Sequence, residues 1–282
     1  MKLKSSSPPA KAGRILKKRD KYGPAVISVT SITIVVLLMH AVITRSKQWP
    51  KIKAQFFDVH AMIDVFPKVL KGFGINMSVW IISLMVIAVW ALILAIFRSL
   101  RGPWFTPLRI FAVVYIDLFR GLPSLLLVLL FGFGIPALQI PGFPKSSLFW
   151  GSFAMITSYS AYAAEVYRSG IDAVHSGQGV AAKALGLSQV QSLFYCILPQ
   201  AVRNVIPSLL NLAVALQKDV ALLSVLGVRD AVREAQIYTA RTFNYSSLMT
   251  AAVLFLLATI PMARFTDYMT KKDRQRRLQD AG

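Results

Sequence analysis

The sequence predicts an all-α polytopic membrane protein of about six transmembrane helices, and three observations carry that prediction. Of the 282 residues, 55% are hydrophobic and only 16% charged, with a mean hydropathy of +0.56. A soluble chain carries about a quarter charged residues. Several apolar runs reach the roughly 20 residues that a helix needs to cross a bilayer. The basic residues gather beside those runs: Lys2, Lys4, Lys11, Arg14, Lys17, Lys18, Arg19 and Lys21 crowd the N-terminus, and Lys271, Lys272, Arg274, Arg276 and Arg277 the C-terminus. A formal charge of +20 would by itself suit nucleic acid. Basic clusters flanking apolar spans instead mark cytoplasmic sides facing anionic lipid, so a lipid bilayer is the expected partner and nucleic acid is not.

The elements follow in order. Residues 1–23, basic and with a Ser-Pro stretch, read as a disordered cytoplasmic tail. Residues 25–44 (AVISVTSITIVVLLMHAVIT) form a first span. A cleaved signal peptide would have a shorter apolar region and an A-x-A-like site, so a retained anchor is expected. Residues 45–72 are polar and mixed and read as an outer segment. Residues 73–97 make the second span, closed by Arg98 and Arg101. A third apolar region, 110–137, is interrupted by RGLP at 120–123. The fourth span is 148–167, ending near Arg168; a less apolar fifth is expected at about 203–222, and the last at about 248–266 runs into the basic tail.

Six spans put both ends on one side. The segments then facing the cytoplasm (1–23, 98–109, 168–203 and 264–282) hold 20 of the 32 Lys and Arg residues, the bias of the positive-inside rule. The outer stretch 227–243 has apolar residues near helical spacing among charges. It reads equally as an amphipathic helix on the outer membrane face or as a solvated loop helix. Cys196 is the only cysteine, so no intrachain disulfide forms. His40, His60 and His175 lack ligand spacing, so no metal site is expected.

One connector is unusual. In 177–202, GQGVAAKALGLSQVQSLFYCILPQAV, the run VAAKAL (180–185) is rich in helix formers. Gly186 suits the left-handed turn that closes such a helix. Ser188 and Gln191 match a capping box that opens a second helix, and Pro199 marks re-entry into the membrane. Short loops suffice to join antiparallel helices, so an ordered helix-turn-helix here suggests a docking surface.

That stretch resembles the EAA loop of ATP-binding-cassette importer permeases: E-A-A, three residues, G, nine residues, then I-x-L-P. The chain has Val180-Ala181-Ala182, Gly186 and Cys196-Ile197-Leu198-Pro199, with Val180 in place of the acid and Cys196 in place of isoleucine. DLFRGLP (117–123) is similar to the E-x-x-R-G-T-P of the polar amino acid permease family, whose members take histidine, glutamate, glutamine, arginine or opines. AYAAEVYRSGIDAV (161–174), LPQAVRNVIPSLLN (198–211) and LQKDVALLSVLGV (216–228) resemble the same group.

The resemblance implies a type I importer permease fold. A coupling loop of Val180, Ala181, Ala182, Lys183, Leu185 and Gly186 would dock a separate ATPase subunit. It further implies a second permease, identical or homologous, a periplasmic solute-binding protein, and a place in the bacterial inner membrane with both termini cytoplasmic. The chain would need no cofactor of its own, since ATP and Mg bind the partner ATPase. No G-x-x-x-x-G-K-[ST] phosphate loop occurs in the sequence, so the chain is expected to be a transport subunit and not an enzyme. The expected organisation is a basic tail (1–23), an extra N-terminal span and outer loop (24–71), the permease transmembrane domain (72–272) and a cytoplasmic tail (273–282). A channel or gradient-driven transporter is the main rival, but it has no use for a coupling loop. A membrane enzyme is the other, and no nucleophile, base or metal-ligand set emerges.

Charges inside a membrane are costly and functional by default. Arg120 lies eleven residues past Arg109, which at about 1.5 Å per residue is near the middle of a roughly 30 Å core. Asp117, three residues back on the same face, is its expected ion-pair partner; direct substrate contact is the alternative. Glu165 and Arg168 share that spacing and read chiefly as a structural pair. Lys218 and Asp219, towards the outer end of the fifth span, are open to three roles: steadying a gate, meeting substrate, or reaching the interface by snorkelling. Asn211 and Gln217 add polar atoms that serve equally to bond between helices. Asp117, Arg120, Glu165, Asn211, Lys218 and Asp219 are the candidate translocation pathway.

Overall fold

A computed structural model of the chain describes residues 23–100 and 102–280, and no strand occurs among them. The chain divides into two units, 1–55 and 56–282. In the first, α1 (Gly23–Arg45) exposes large aliphatic side chains all round, Val29, Leu37 and Val42 among them. A helix apolar on every face belongs in lipid or in a large core. The short α2 (Trp49–Phe56) follows it.

The second unit holds α3 (Val59–Ser99), α4 (Thr106–Gly121), α5 (Ser124–Ala137), α6 (Ser147–Asp172), α7 (Ser176–Ala184), α8 (Gln189–Leu226), α9 (Ala231–Thr242) and α10 (Ser246–Asp280). Asp58 caps α3 by accepting from the backbone N–H groups of His60 (3.0 Å) and Ala61 (3.3 Å). The sequence predicts an outer loop up to residue 71, with the permease domain from 72; here the structure differs. Residues 59–71 are the first turns of α3, a helix of 41 residues. Ala61, Val65, Val69 and Gly72 recur at helical spacing and are buried, Asp64, Lys68 and Lys71 flank that stripe, and exposed Ile63, Phe66 and Leu70 take the opposite face. Averaged along the chain, that amphipathic pattern reads as merely polar. At 1.5 Å per residue α3 is about 60 Å long, so one end stands well beyond a roughly 30 Å hydrocarbon core.

The break expected at 120–123 is present: the segment ending at Gly121 and α5 meet at 101°. Pro123 supplies no N–H there, and its preceding residue is held out of the helical region. Among the described residues four helices (α1, α3, α8 and α10) are long and apolar enough to cross a membrane, or five if the bent pair α4–α5 counts as one span. The predicted fourth span, α6, has the length (26 residues) without the hydropathy. It is packed by α3, α4, α5 and α8, and its buried face includes Ala154, Ser158, Ala161, Ala163 and Ala164. Protein surrounds it where lipid surrounds the others, so small and hydroxylated residues are admitted. Close approach is enforced at Gly170, where a Cβ would lie 2.3 Å from Val205 Cγ1 and 2.8 Å from the Ala201 carbonyl oxygen of α8.

The fifth span is much longer than 203–222 because Pro199 does not interrupt it. A π turn over Leu193–Ile197 precedes the proline, and Leu198 donates back to Leu193. Pro199 then sits in a first helical turn, where a missing N–H costs nothing. Helix α9 corrects the reading of 227–243 as a solvated loop helix. It is not a free-standing helix, but buries Ala231 and Ala235 against Val65, Val69, Ala251 and Leu254 of α3 and α10. Its start is fixed by a buried network. Asn76 Nδ2 donates to Asp230 Oδ2 (3.0 Å), Asn76 Oδ1 accepts from Ala231 N (3.1 Å), and Asp230 Oδ1 accepts from Arg233 N (2.8 Å). Burial pushes the Asp230 carboxyl up from its ordinary value, and these donors oppose the push.

Candidate functional site

The connector between α6 and α8 folds as its residues dictate. Helix α7 begins at Ser176, four residues before the helix-forming run, because His175 Nδ1 accepts from Gly177 N (3.1 Å) and caps it. Gly177 and Gly179 lower helix propensity, so sequence alone starts the helix late. At its end Gly186 takes φ +81°, its N–H donates to Lys183 O (2.9 Å), and Leu187 N–H donates to Ala182 O (3.1 Å). These two bonds are the Schellman pattern. Ser188 Oγ accepts from Gln191 N (3.3 Å) while Gln191 Oε1 accepts from Ser188 N (2.9 Å), the expected capping box. The turn therefore joins α7 rigidly to α8. Ala182 is buried, Ala181 and Lys183 are exposed, and Val180 and Leu185 stand out at 68% and 83% exposure.

Deeper in the unit, one carboxylate gathers three guanidinium groups. Glu165 Oε1 accepts from Arg98 Nη1 at 2.6 Å and lies 3.2 Å from Arg120 Nη1; its Oε2 accepts from Arg168 Nε at 2.6 Å. Arg168 also bonds Asp172. The ion-pair partner of Arg120 is thus Glu165, across on α6, and not Asp117. Arg120 occupies the last turn of α4, where the chain breaks and the side chain is free to swing inward, while Asp117 remains exposed. The Arg120 guanidinium also lies 5.8 Å from the centre of the Tyr162 ring. A cavity of about 440 Å³ opens beside it, lined by Arg120, Tyr162, Glu165, Ser169, Asn204 and Ser208 from α4, α6 and α8.

Electrostatics gives this cluster a direction. Three cations share Glu165, and only Asp172 adds a second negative charge. The excess positive charge attracts an anion most strongly where water is scarce. Arg120 has the longest of the three contacts and the most exposed side chain, 41% against 24% and 38%. It is the member best placed to exchange Glu165 for another carboxylate.

The remaining candidates scatter. Asp219 Oδ2 accepts from the Tyr159 hydroxyl of α6 at 2.6 Å, and Lys218 beside it is exposed. Asn211 is exposed on α8. Gln217 is fully buried and bonds between helices, its Oε1 accepting from Thr259 Oγ1 at 2.6 Å. Arg98, Tyr159 and Tyr162 escape a sequence reading. Arg98 and Glu165 are 67 positions apart, and no local spacing connects them. The one available signal is that Arg98 closes an apolar run.

Comparison with known proteins gives a consistent picture. Residues 91–275 match the family described as binding-protein-dependent transport system inner membrane component. The chain is 32% identical to the arginine transport system permease protein ArtQ of Bacillus subtilis, over 72% of this chain and 91% of that one. It is 34% identical to a putative glutamine transport system permease protein, GlnP, of Rickettsia conorii, over 71% of this chain and 91% of the relative. Among solved structures it superposes on a chain from the crystal structure of an amino acid ABC transporter with histidines. That match has a TM-score of 0.68 and 27% identity, covering 76% of this chain and 98% of the other.

Proposed function

The chain belongs to the family of binding-protein-dependent transport system inner membrane components, and from that premise we propose that it is the permease subunit of an ATP-binding-cassette importer for polar amino acids or opines. The observation that carries this reading is the connector, a closed helix–turn–helix that exposes Val180 and Leu185 and runs without a break into α8. Relatives named for arginine and glutamine transport support the amino acid class.

In this reading α7 seats in a groove of a separate ATPase, which binds ATP and Mg²⁺. Val180, Ala181, Ala182, Lys183, Leu185 and Gly186 form the contact region. When two ATPases close, the push on α7 passes into α8 through the rigid Schellman turn and capping box, and tilts the helix bundle. A second permease, identical or homologous, completes the path, and a periplasmic solute-binding protein delivers the substrate. Inside the membrane a zwitterionic amino acid needs a partner for each charge. Arg120 takes the carboxylate and Glu165 the ammonium, with Lys218 and Asp219 serving further along. Asp117 and Asn211, exposed in the single chain, line the space between two permeases.

Reconstitution tests the reading. The full chain, co-purified with its ATPase and binding protein into proteoliposomes, should accumulate a radiolabelled polar amino acid only when ATP is enclosed with the ATPase. Uptake that needs no ATP and collapses with an ionophore would assign a gradient-driven transporter instead.

A further inference from the structure

A second cavity adjoins the Glu165 cluster, between the connector, the ends of α3 and α6 and the start of α4. It measures about 620 Å³, and its walls include Arg98, Arg109, Arg168 and Lys183, with His175 and Asp172. Two of the four cations are already engaged, since Arg98 and Arg168 hold Glu165 and Arg168 also holds Asp172. The other two are not. Among the described residues Arg109 bonds only the Thr106 hydroxyl, at 3.5 Å, and Lys183 forms no ion pair. These two come from different elements, α4 and α7. Uncompensated cations that converge on one space make an anion site.

The chemistry of that anion follows from the surroundings. Leu100, Ile171 and Leu193 also line the cavity, so the occupant is amphiphilic or borders an apolar group. The turn preceding α4 carries Trp104, 90% exposed, and a lone tryptophan beside an apolar span marks headgroup depth. From the same turn an apolar hollow of about 770 Å³ runs along α4 past Pro107, Ile110 and Val114. The hollow shares no lining residue with the cavity and lies on the face of α4 away from Arg109, so it is a separate apolar surface and the phosphate reading rests on Arg109 and Lys183. We propose that this cavity binds a phosphate group, as the headgroup of an anionic phospholipid or as free phosphate, and that the bound anion ties the coupling helix α7 to the first turn of α4. The name coupling helix rests on the function proposed above; the binding itself does not.

Footprinting of the full chain in a neutral detergent tests this. An amine-acylating reagent should modify Lys183 at least threefold more slowly when phosphatidylglycerol is added, with phosphatidylcholine giving no protection and Lys145 serving as the internal control. Native mass spectrometry should show preferential retention of phosphatidylglycerol, reduced at least fivefold in Arg109→Gln/Lys183→Gln. Protection by millimolar inorganic phosphate with no lipid preference would assign free phosphate as the source. Equal modification of Lys183 under every addition, with equal retention of both lipids, overturns the proposal whether or not the variant folds. Protection only by the ATPase partner overturns it too, and makes the cavity a protein-docking surface. Because binding is read without transport, failure here leaves the importer reading standing, and failure of ATP-dependent uptake leaves this site standing.

Discussion

Glu165 is the residue on which the charge inside the second unit depends. Replacing it by Gln keeps the shape but leaves Arg98 and Arg120 without a carboxylate and Arg168 with Asp172 alone. Removing one partner of a buried pair costs about 3–5 kcal/mol, and the partial exposure of this cluster lowers that to about 2–3 kcal/mol. Thermal unfolding of the purified chain should therefore show the largest loss for Glu165→Gln, an intermediate loss for Arg98→Gln and the smallest for Arg120→Gln. Equal losses for the two arginines would make Arg120 a structural member and not a carboxylate acceptor. For the acceptor role the sharper variant is Arg120→Lys, which keeps the charge and loses the two-pronged geometry. ATP-driven uptake should fall at least tenfold, about 1.4 kcal/mol, while the ATPase still co-purifies; unchanged uptake would remove Arg120 from the path. Arg120 declared itself from sequence as a charge where charge is expensive. Its partner did not, because a helix reading can see Asp117 three residues away and cannot see Glu165 on another helix.

Elements were legible where local chemistry decides them and illegible where tertiary packing does. The connector is the clearest success, since Gly186 and the Ser188–Gln191 box are local signals and both appear as read. Helix α9 and the first turns of α3 are the counter-example. Their polar residues are real, yet each hides a face that fits the other so closely that a Cβ on Gly72 would lie 2.4 Å from the Asp230 carbonyl carbon. No pattern within either segment announces the partner. For α8, a proline reads as a boundary, and only the preceding π turn shows how the helix absorbs it. The connector also gives the element-scale prediction. Gly186 at φ +81° is in a conformation that costs other residues about 1–2 kcal/mol, and open space surrounds its Cβ position. Gly186→Arg should therefore insert and fold, but deform the Schellman turn and obstruct close docking. ATP hydrolysis and amino acid uptake should separate, with uptake falling at least tenfold while hydrolysis persists. Uptake at the unsubstituted rate with the ATPase bound would show that this turn does not transmit the motion.

At the scale of the molecule, the second unit fixes its own sidedness. The ends of α3 and α6, the start of α4 and helix α7 share one cavity through Arg98, Arg168, Arg109 and Lys183, so all four lie on one side. The start of α6 is at the far end of a 26-residue helix, and the chain reaches it from α4 by way of α5. The bent pair therefore crosses; it is a broken span and not a re-entrant loop. On the far side, Asn244 Nδ2 donates to Asp58 Oδ2 (3.1 Å) and Asp58 N to Ser246 Oγ (2.9 Å), which places the starts of α3 and α10 together. Helix α10 then returns to the side of α7, carrying the basic C-terminal residues with it. Crossings by α3, α4–α5, α6, α8 and α10 make five. Helix α1, apolar on every face and 23 residues long, belongs to the other unit, and a sixth crossing by it is an expectation that a fusion at the N-terminus tests. From the basic bias of the sequence that side is expected to be cytoplasmic. The expectation is that a reporter active only outside the cytoplasm stays silent when fused after Gly282, and also when fused before Met1. A reporter inserted in the outer loop at Lys145 should be active. An active C-terminal fusion with a silent loop fusion would invert the whole unit, whereas an active N-terminal fusion alone would mean that α1 does not cross.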